Sequence, residues 1–207
     1  MTTTASKPAT APARPARGLA FPAKFFVAIR PLFGTMTVAQ VEGIEAKLSA
    51  FAAAGSPIAH VAYGLATSFW ETDRKMQPVP EIGRGRGKAY GKPGKHKGQV
   101  AYGRGDVQLT WDYNYERADA ELELKGALTS NYDRAMETEI SAQIMVRGMT
   151  EGWFTGKRFS SYLPAKGPAT AVQFTSARRI INGVDRAEKV AGYAMSFQAA
   201  LVAGGWA

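Results

Sequence analysis

The sequence predicts a mainly α-helical chain folded as one domain with long loops, and three observations lead there. Apolar residues recur at three- and four-residue spacing in several separate stretches. Two of those stretches open on a capping-box pattern, Thr37 with Gln40 and Asp185 with Glu188. Strand-type alternation is scarce, and 207 residues suffice for one compact domain with a sizeable core.

Residues 1–20, rich in Ala, Pro and Thr, read as a disordered N-terminal arm, and the domain proper is expected over 21–207. Phe25 to Arg30 is apolar and is followed by Pro31, which predicts a short helix or turn stopping there. After the Thr37–Gln40 box, Val38, Val41, Ile44, Leu48 and Phe51 share one helix face, and Gly55 supplies a stop. Ser56-Pro57 then reads as an N-cap with proline at the first helical position.

That next helix buries Ile58, Val61, Ala62, Leu65 and Phe69, while His60, Gly64, Thr67, Ser68 and Glu71 form a second stripe. Taken alone the stripe is either a solvated face ending in a surface glutamate or a helix side lining a cleft. Residues 77–99 carry Pro78, Pro80, Pro93 and a run of glycines from Gly83 to Gly98, so they are expected to be a long functional loop. Further helices are expected over Tyr132–Met149, over Pro168–Ile181, and from Asp185 onward with Ala187, Val190, Ala191, Ala194, Phe197 and Leu201 turned inward.

Composition narrows the chemistry. There is no cysteine, which removes disulfides, thiolate nucleophiles and Cys-based metal sites. With only His60 and His96 as imidazoles, no metal site is expected, and no cofactor is implied. The balance of 26 basic to 17 acidic residues, a net +9, draws the protein toward polyanions. Arg84, Arg86, Lys88, Lys92, Lys95 and Lys97 concentrate that charge, so loop 84–97 is expected to meet an anionic cell envelope. Gly83-Arg84-Gly85-Arg86-Gly87 follows no apolar strand and no Gly-Lys-Ser/Thr occurs, so the nucleotide-binding fingerprints fail. No nucleic-acid-binding signature accompanies the basic residues, and nucleic acid is not an expected partner. No apolar run spans a bilayer and no secretory signal is recognisable, so a soluble monomer without membrane insertion is expected.

Hydrolysis of a glycosidic bond needs one protonated and one ionised carboxylic acid flanking it. Glu71, beside Phe69 and Trp70 at the end of an apolar helix, is the best placed acid, and Glu81 opens the loop that would face it.

The segment Tyr102-Gly103-Arg104-Gly105-Asp106-Val107-Gln108-Leu109-Thr110-Trp111-Asp112-Tyr113-Asn114-Tyr115 resembles the signature of family-19 glycoside hydrolases, the chitinase-type, lysozyme-like enzymes. Asp112 stands where that signature has its first Asn. Ala66-Thr67-Ser68-Phe69-Trp70-Glu71-Thr72 is similar to the family's helix ending in His-Glu-Thr, with Trp70 in place of His, and Arg179-Ile180-Ile181-Asn182-Gly183 to its Ile-Asn-Gly motif. The compact length and the Phe25-Phe26 opening resemble the phage endolysin branch.

The resemblance implies a lysozyme-like helical domain around a deep cleft that cuts peptidoglycan or a related N-acetylated polysaccharide. It implies Glu71 as general acid, Thr110 helping to hold the attacking water, and Gln108 and Asn114 contacting sugar, with Tyr102 beside them and Asn182 lining the far side. The family inverts, which puts the two carboxyl groups about 6.5–9.5 Å apart. Glu81 is the expected base, with Asp73 and Asp106 as rivals. An endolysin of this kind passes from the host cytoplasm to the periplasm and wall through a holin-type pore or by delivery in a virion. The alternatives are a chitinase, or a non-catalytic wall-binding or virion structural protein.

Overall fold

The computed structural model describes residues 17–207, and it is mainly helical as expected. Residues 1–16 of the expected arm lie outside the described residues. Its last part is held: the Gly18 N–H donates to the Ala207 carbonyl, and Leu19 bridges Trp206.

Helix α1 runs Pro22–Phe33, through Pro31 rather than stopping at it. Proline there forfeits one bond, to the Val27 carbonyl, on a turn where Val27 is solvent-exposed. The Thr37–Gln40 box closes reciprocally and opens α2, Val38–Ala53. Helix α3, Ile58–Glu71, starts one residue later than its proline suggested. Pro57 is the N-cap in extended conformation, and the Pro57 carbonyl accepts from His60 and Val61.

Beyond the loop comes α4, Asp112–Glu121, and then the short α5, Ala127–Ser130, whose leading N–H groups at Leu128 and Thr129 sit on the Asp119 carboxylate at 2.6 and 2.8 Å. The helix expected from Tyr132 is split. Asn131 accepts from the Asp133 N–H and winds residues 132–136 into a 3₁₀ turn, and α6 begins only at Thr138 and runs to Glu151.

Pro168 likewise lies outside its helix. Thr170 and Gln173 form a capping box that starts α7 at Ala171–Ala177, with a 3₁₀ turn over residues 178–180. Asp185 caps nothing: left-handed Arg186 precedes α8, Ala187–Ala203, and the Asp185 carbonyl is used elsewhere.

The core centres on α3, which packs along α8, with α1 and α7 against the other flanks of α8 and α2 against α6. Every residue of α3 from Val61 to Phe69 is buried. Among the described residues, apart from isolated bridges, the extended structure is one antiparallel ladder, β1 (Val79–Pro80) on β2 (Arg104–Gly105), with Val79 opposite Gly105 and Pro80 opposite Arg104. It closes the base of the 81–103 loop. Among the described residues no helix is long and apolar enough to cross a membrane.

Candidate active site

Glu71 ends α3 with its side chain 19% exposed, so it is neither a free surface acid nor fully enclosed. Its Oε1 accepts from Arg178 Nη1 at 2.7 Å. Arg178 is itself buried, and its Nε donates to the Asp185 carbonyl at 3.0 Å. The Ile-Asn-Gly segment therefore supplies a cation to Glu71 from the residues just before it. Sequence reasoning missed Arg178. The available signal was an arginine four residues beyond Phe174, on the side of the chain that Phe174 turns inward, a place where a charge needs a partner.

Glu81 follows β1 directly. Its backbone N–H donates to the Gly103 carbonyl at 2.7 Å and its Oε2 accepts from the Gly103 N–H at 3.0 Å. Its Oε1 accepts from the Tyr90 hydroxyl at 2.8 Å. Burial, then the hydrogen bond to Glu81 and that carboxylate's charge, push Tyr90 above the usual tyrosine range, so it remains a donor at neutral pH. Each carboxylate oxygen keeps a second acceptor direction for water.

Gln108 lies beside Glu81. A Cβ on Gly103 would stand 2.7 Å from Gln108 Oε1 and 3.2 Å from Glu81 Cβ, so only glycine lets the two side chains flank the strand. Gln108 Nε2 donates to the Val79 and Gly105 carbonyls, which fixes its oxygen. Thr110 is half-buried, next to Leu109, whose N–H and carbonyl both bond Arg104. Asn114 Nδ2 donates to the Thr110 carbonyl at 2.9 Å, so Asn114 is largely committed to holding the turn that bears Thr110.

Trp111 takes φ +71, unusual for a bulky residue, and stays 38% exposed. It meets Tyr90 edge-on at 5.5 Å and stacks with exposed Tyr113 at 6.1 Å and 20°. This aromatic platform next to Glu81 was not singled out from the sequence.

Much of the Tyr102–Tyr115 segment is scaffold. The Arg104 guanidinium lies 3.5 Å over the Tyr102 ring and donates to the Val100 and Tyr102 carbonyls, Tyr115 Oη and Asp133. Tyr115 donates in turn to the Tyr102 carbonyl at 2.8 Å. Asp106 is fully buried. It accepts from Lys47 Nζ and Ser68 Oγ at 2.8 Å each and from Ser141 Oγ at 2.7 Å, and Lys47 spends its other donors on the Gly43 and Met76 carbonyls. With both oxygens engaged and no solvent access, Asp106 has no route to a water nucleophile. It does tie α3, one turn below Glu71, to the end of β2, whose partner strand carries Glu81.

The structure thus draws Glu81, Gln108, Tyr102, Thr110 and Asn114 around one hairpin and places Glu71 on the helix to which Asp106 fastens it. Asn182 lies apart, exposed, with its Oδ1 taking the Gly183 N–H at 2.8 Å. Asp73 is exposed in left-handed conformation and lines a cavity of about 370 Å³ with Trp70, Arg74 and Lys189. A roomier cavity of about 710 Å³ between α2 and α6, lined by Ala46, Ala50 and Val146, contains none of these residues. The basic loop 84–97 follows Glu81 in the chain, and Arg179, Arg186 and Lys189 line a separate cavity of about 570 Å³ together with Asp185 and Glu188.

The fold is similar to that of solved chitinases. Chitinase C from Streptomyces griseus HUT6037 aligns with a TM-score of 0.58 at 21% identity, over 87% of this chain and 75% of that chain. A glutamate-to-glutamine mutant of chitinase C aligns with a TM-score of 0.58 at 20% identity, over 89% of this chain and 94% of that chain. No family model matches the sequence. No curated protein matches it either.

Proposed function

We propose that the protein is an inverting glycoside hydrolase that cuts the β-1,4 bonds of peptidoglycan, of the N-acetylmuramidase type. The observation that carries this is the pair of carboxylates held in different ways. Glu71 is bonded through Oε1 only, by Arg178, which leaves Oε2 to carry the proton delivered to the glycosidic oxygen. Glu81 receives donors on both oxygens, from Tyr90 and Gly103, which suits the ionised partner that deprotonates water. Thr110 helps hold that water. Gln108 Oε1, fixed by two bonds from its amide nitrogen, is an acceptor for a sugar N–H or hydroxyl. Trp111 and Tyr113 offer an apolar face to a sugar ring. Tyr102 and Asn114 support that hairpin, and Asn182 contacts substrate from the Arg178 side.

The charge favours peptidoglycan over chitin. Chitin is neutral, whereas peptidoglycan carries peptide carboxylates and lies among phosphate polymers, and the loop that follows Glu81 carries Arg84, Arg86, Lys88, Lys92, Lys95 and Lys97. Loop 84–97 is the proposed contact with the anionic envelope. An endolysin acting on the wall after release from the cytoplasm fits this reading. The second reading, a chitinase, is favoured by the similarity to chitinase C.

Turbidity loss of outer-membrane-permeabilised bacteria, run beside release of sugar from chitin, tests the substrate. Activity on chitin with none on walls reverses the choice. Glu71→Gln is expected to slow hydrolysis by roughly 10²–10⁴-fold with the helical signal unchanged. A variant that lyses walls as well as the parent leaves only a binding or structural role.

A further inference from the structure

Two charges beside the end of α3 stand where local preference would not put them. A helix that ends in a left-handed turn usually places glycine or asparagine there, because a Cβ is strained at positive φ. The positions after Thr72 are instead Asp73 at φ +49 and Arg74 at φ +64. The turn is fastened, with the Asp73 N–H on the Trp70 carbonyl at 3.2 Å and the Arg74 N–H on the Phe69 carbonyl at 2.8 Å. Gln40 Nε2 donates to the Arg74 carbonyl at 3.0 Å. Across from it, Lys189 occupies the first turn of α8, the end at which the helix dipole disfavours a cation.

Asp73, Arg74 and Lys189 all line the cavity of about 370 Å³ between the end of α3 and α8, and Phe69, Trp70 and Tyr193 complete its lining. The Phe69 and Tyr193 rings meet edge-on at 4.8 Å. Each cation lies over a ring, Lys189 Nζ 4.9 Å from the Trp70 centroid and the Arg74 guanidinium 5.8 Å from that of Phe69. Among the described residues none of the three charged groups takes part in an ion pair. Aromatic surface therefore holds two cations and leaves their charge unneutralised, with a carboxylate in the same cavity that pairs with neither.

Residues kept against local preference mark places where a protein does something with them. A neutral sugar would leave all three charges unused. A short zwitterion uses them all: its carboxylate meets Arg74 and Lys189, its ammonium meets Asp73, and its aliphatic part lies on the rings. The volume is at the lower end of the range of about 300–1,000 Å³ typical of small-molecule sites, which suits a ligand of one or two amino-acid residues.

We propose that this cavity binds the peptide stem of peptidoglycan, at an uncross-linked diamino residue that presents an ammonium beside a carboxylate. Such a site deepens the peptidoglycan reading and rests on it. Trp70 directly precedes Glu71 and Asp73 follows it by two positions, so a stem held here belongs to a glycan strand passing the helix end that bears the acid. Asp73, Arg74 and Lys189 act in substrate selection and do not touch the bond that breaks. Chitin has no group for them.

The probe is the free tripeptide L-alanyl-γ-D-glutamyl-meso-diaminopimelate, without sugar, titrated into the full chain while the Trp70 indole N–H is followed by NMR. A saturable shift is expected, and none with the same tripeptide amidated at its carboxylates and acetylated at its amines. Lys189→Ala lies on an exposed helix turn, and Arg74→Asn tolerates the left-handed backbone, so both variants should fold. Each is expected to weaken tripeptide binding roughly 2- to 5-fold, the scale of an exposed charge pair. In lysis assays each should raise KM by a similar factor on intact walls, and by less on walls stripped of peptide by an amidase. An unmoved Trp70 signal, tripeptide binding that ignores both substitutions, or a shift given by N-acetylglucosamine tetramer in place of the tripeptide overturns the proposal. Tripeptide binding by a protein that cuts no wall would sink the hydrolase reading and leave this site standing, and wall lysis without tripeptide binding would do the reverse.

Discussion

Lys47→Met removes the cation from a site that has no solvent to replace it. Lys47 and Asp106 are both fully buried, 2.8 Å apart, and Met is close to Lys in volume, so packing is nearly conserved. What changes is charge and hydrogen bonding. The Asp106 carboxylate keeps the Ser68 and Ser141 hydroxyls but loses its counterion, and the Gly43 and Met76 carbonyls lose a donor. Breaking a buried pair in this way costs about 3–5 kcal/mol. For a chain of this size that corresponds to a fall in Tm of roughly 6–20 °C. Thermal unfolding followed by circular dichroism measures it. A loss below about 1 kcal/mol, the scale of an exposed pair, would refute the assignment of Asp106 as the buried tie between α3 and the hairpin. Adding Asp106→Asn to Lys47→Met is expected to recover part of the loss, because it removes the stranded charge.

Two further outcomes follow from the geometry. His60 is held down to about 4 mainly by burial, its Nε2 has no partner, and its ring stacks on Phe159 at 4.6 Å. The unfolded chain binds that proton near the ordinary histidine value of 6.5 and the folded chain near about 4, so stability is full above the first and falls as pH drops toward the second. His60→Phe keeps a ring and removes the titration, so its Tm should decline less than the parent's between neutral and acid pH, and parallel curves would count against burial as the cause. Trp111→Ala removes half of the aromatic platform and is expected to raise KM by roughly 2- to 12-fold, with kcat nearly unchanged. An unchanged KM would mean that sugar does not stack there.

The helices were legible wherever local chemistry decides them. The Thr37–Gln40 box closes as written, and the inward face of α8 is the one that its spacing picks out. The misses share a cause, which is that tertiary partners outrank local signals. Asp185 looks like a cap, but its carbonyl is taken by Arg178, a residue that also holds Glu71. Tyr132–Met136 has helical spacing, yet Asn131 diverts it into a 3₁₀ turn. For the site, the sequence pointed to Glu71, Glu81 and Gln108 but left open whether Asp106 was a rival base. Only its burial against Lys47 answers that, since a ladder of contacts between residues 38 and 59 positions apart leaves no local pattern.

The short ladder between β1 and β2 has an evolutionary and practical side. Glu81 is fastened at the root of its loop, by Gly103 and by the register of two residue pairs, and from further out its carboxylate meets Tyr90 and its carbonyl the Arg84 N–H. The stretch from residue 83 to 98 can therefore be lengthened, shortened or grafted from another protein while Glu81 stays where it is, provided that a phenol replaces Tyr90. The charge and reach of the loop are then exchangeable on a fixed root, and changing them requires no change at Glu81 itself.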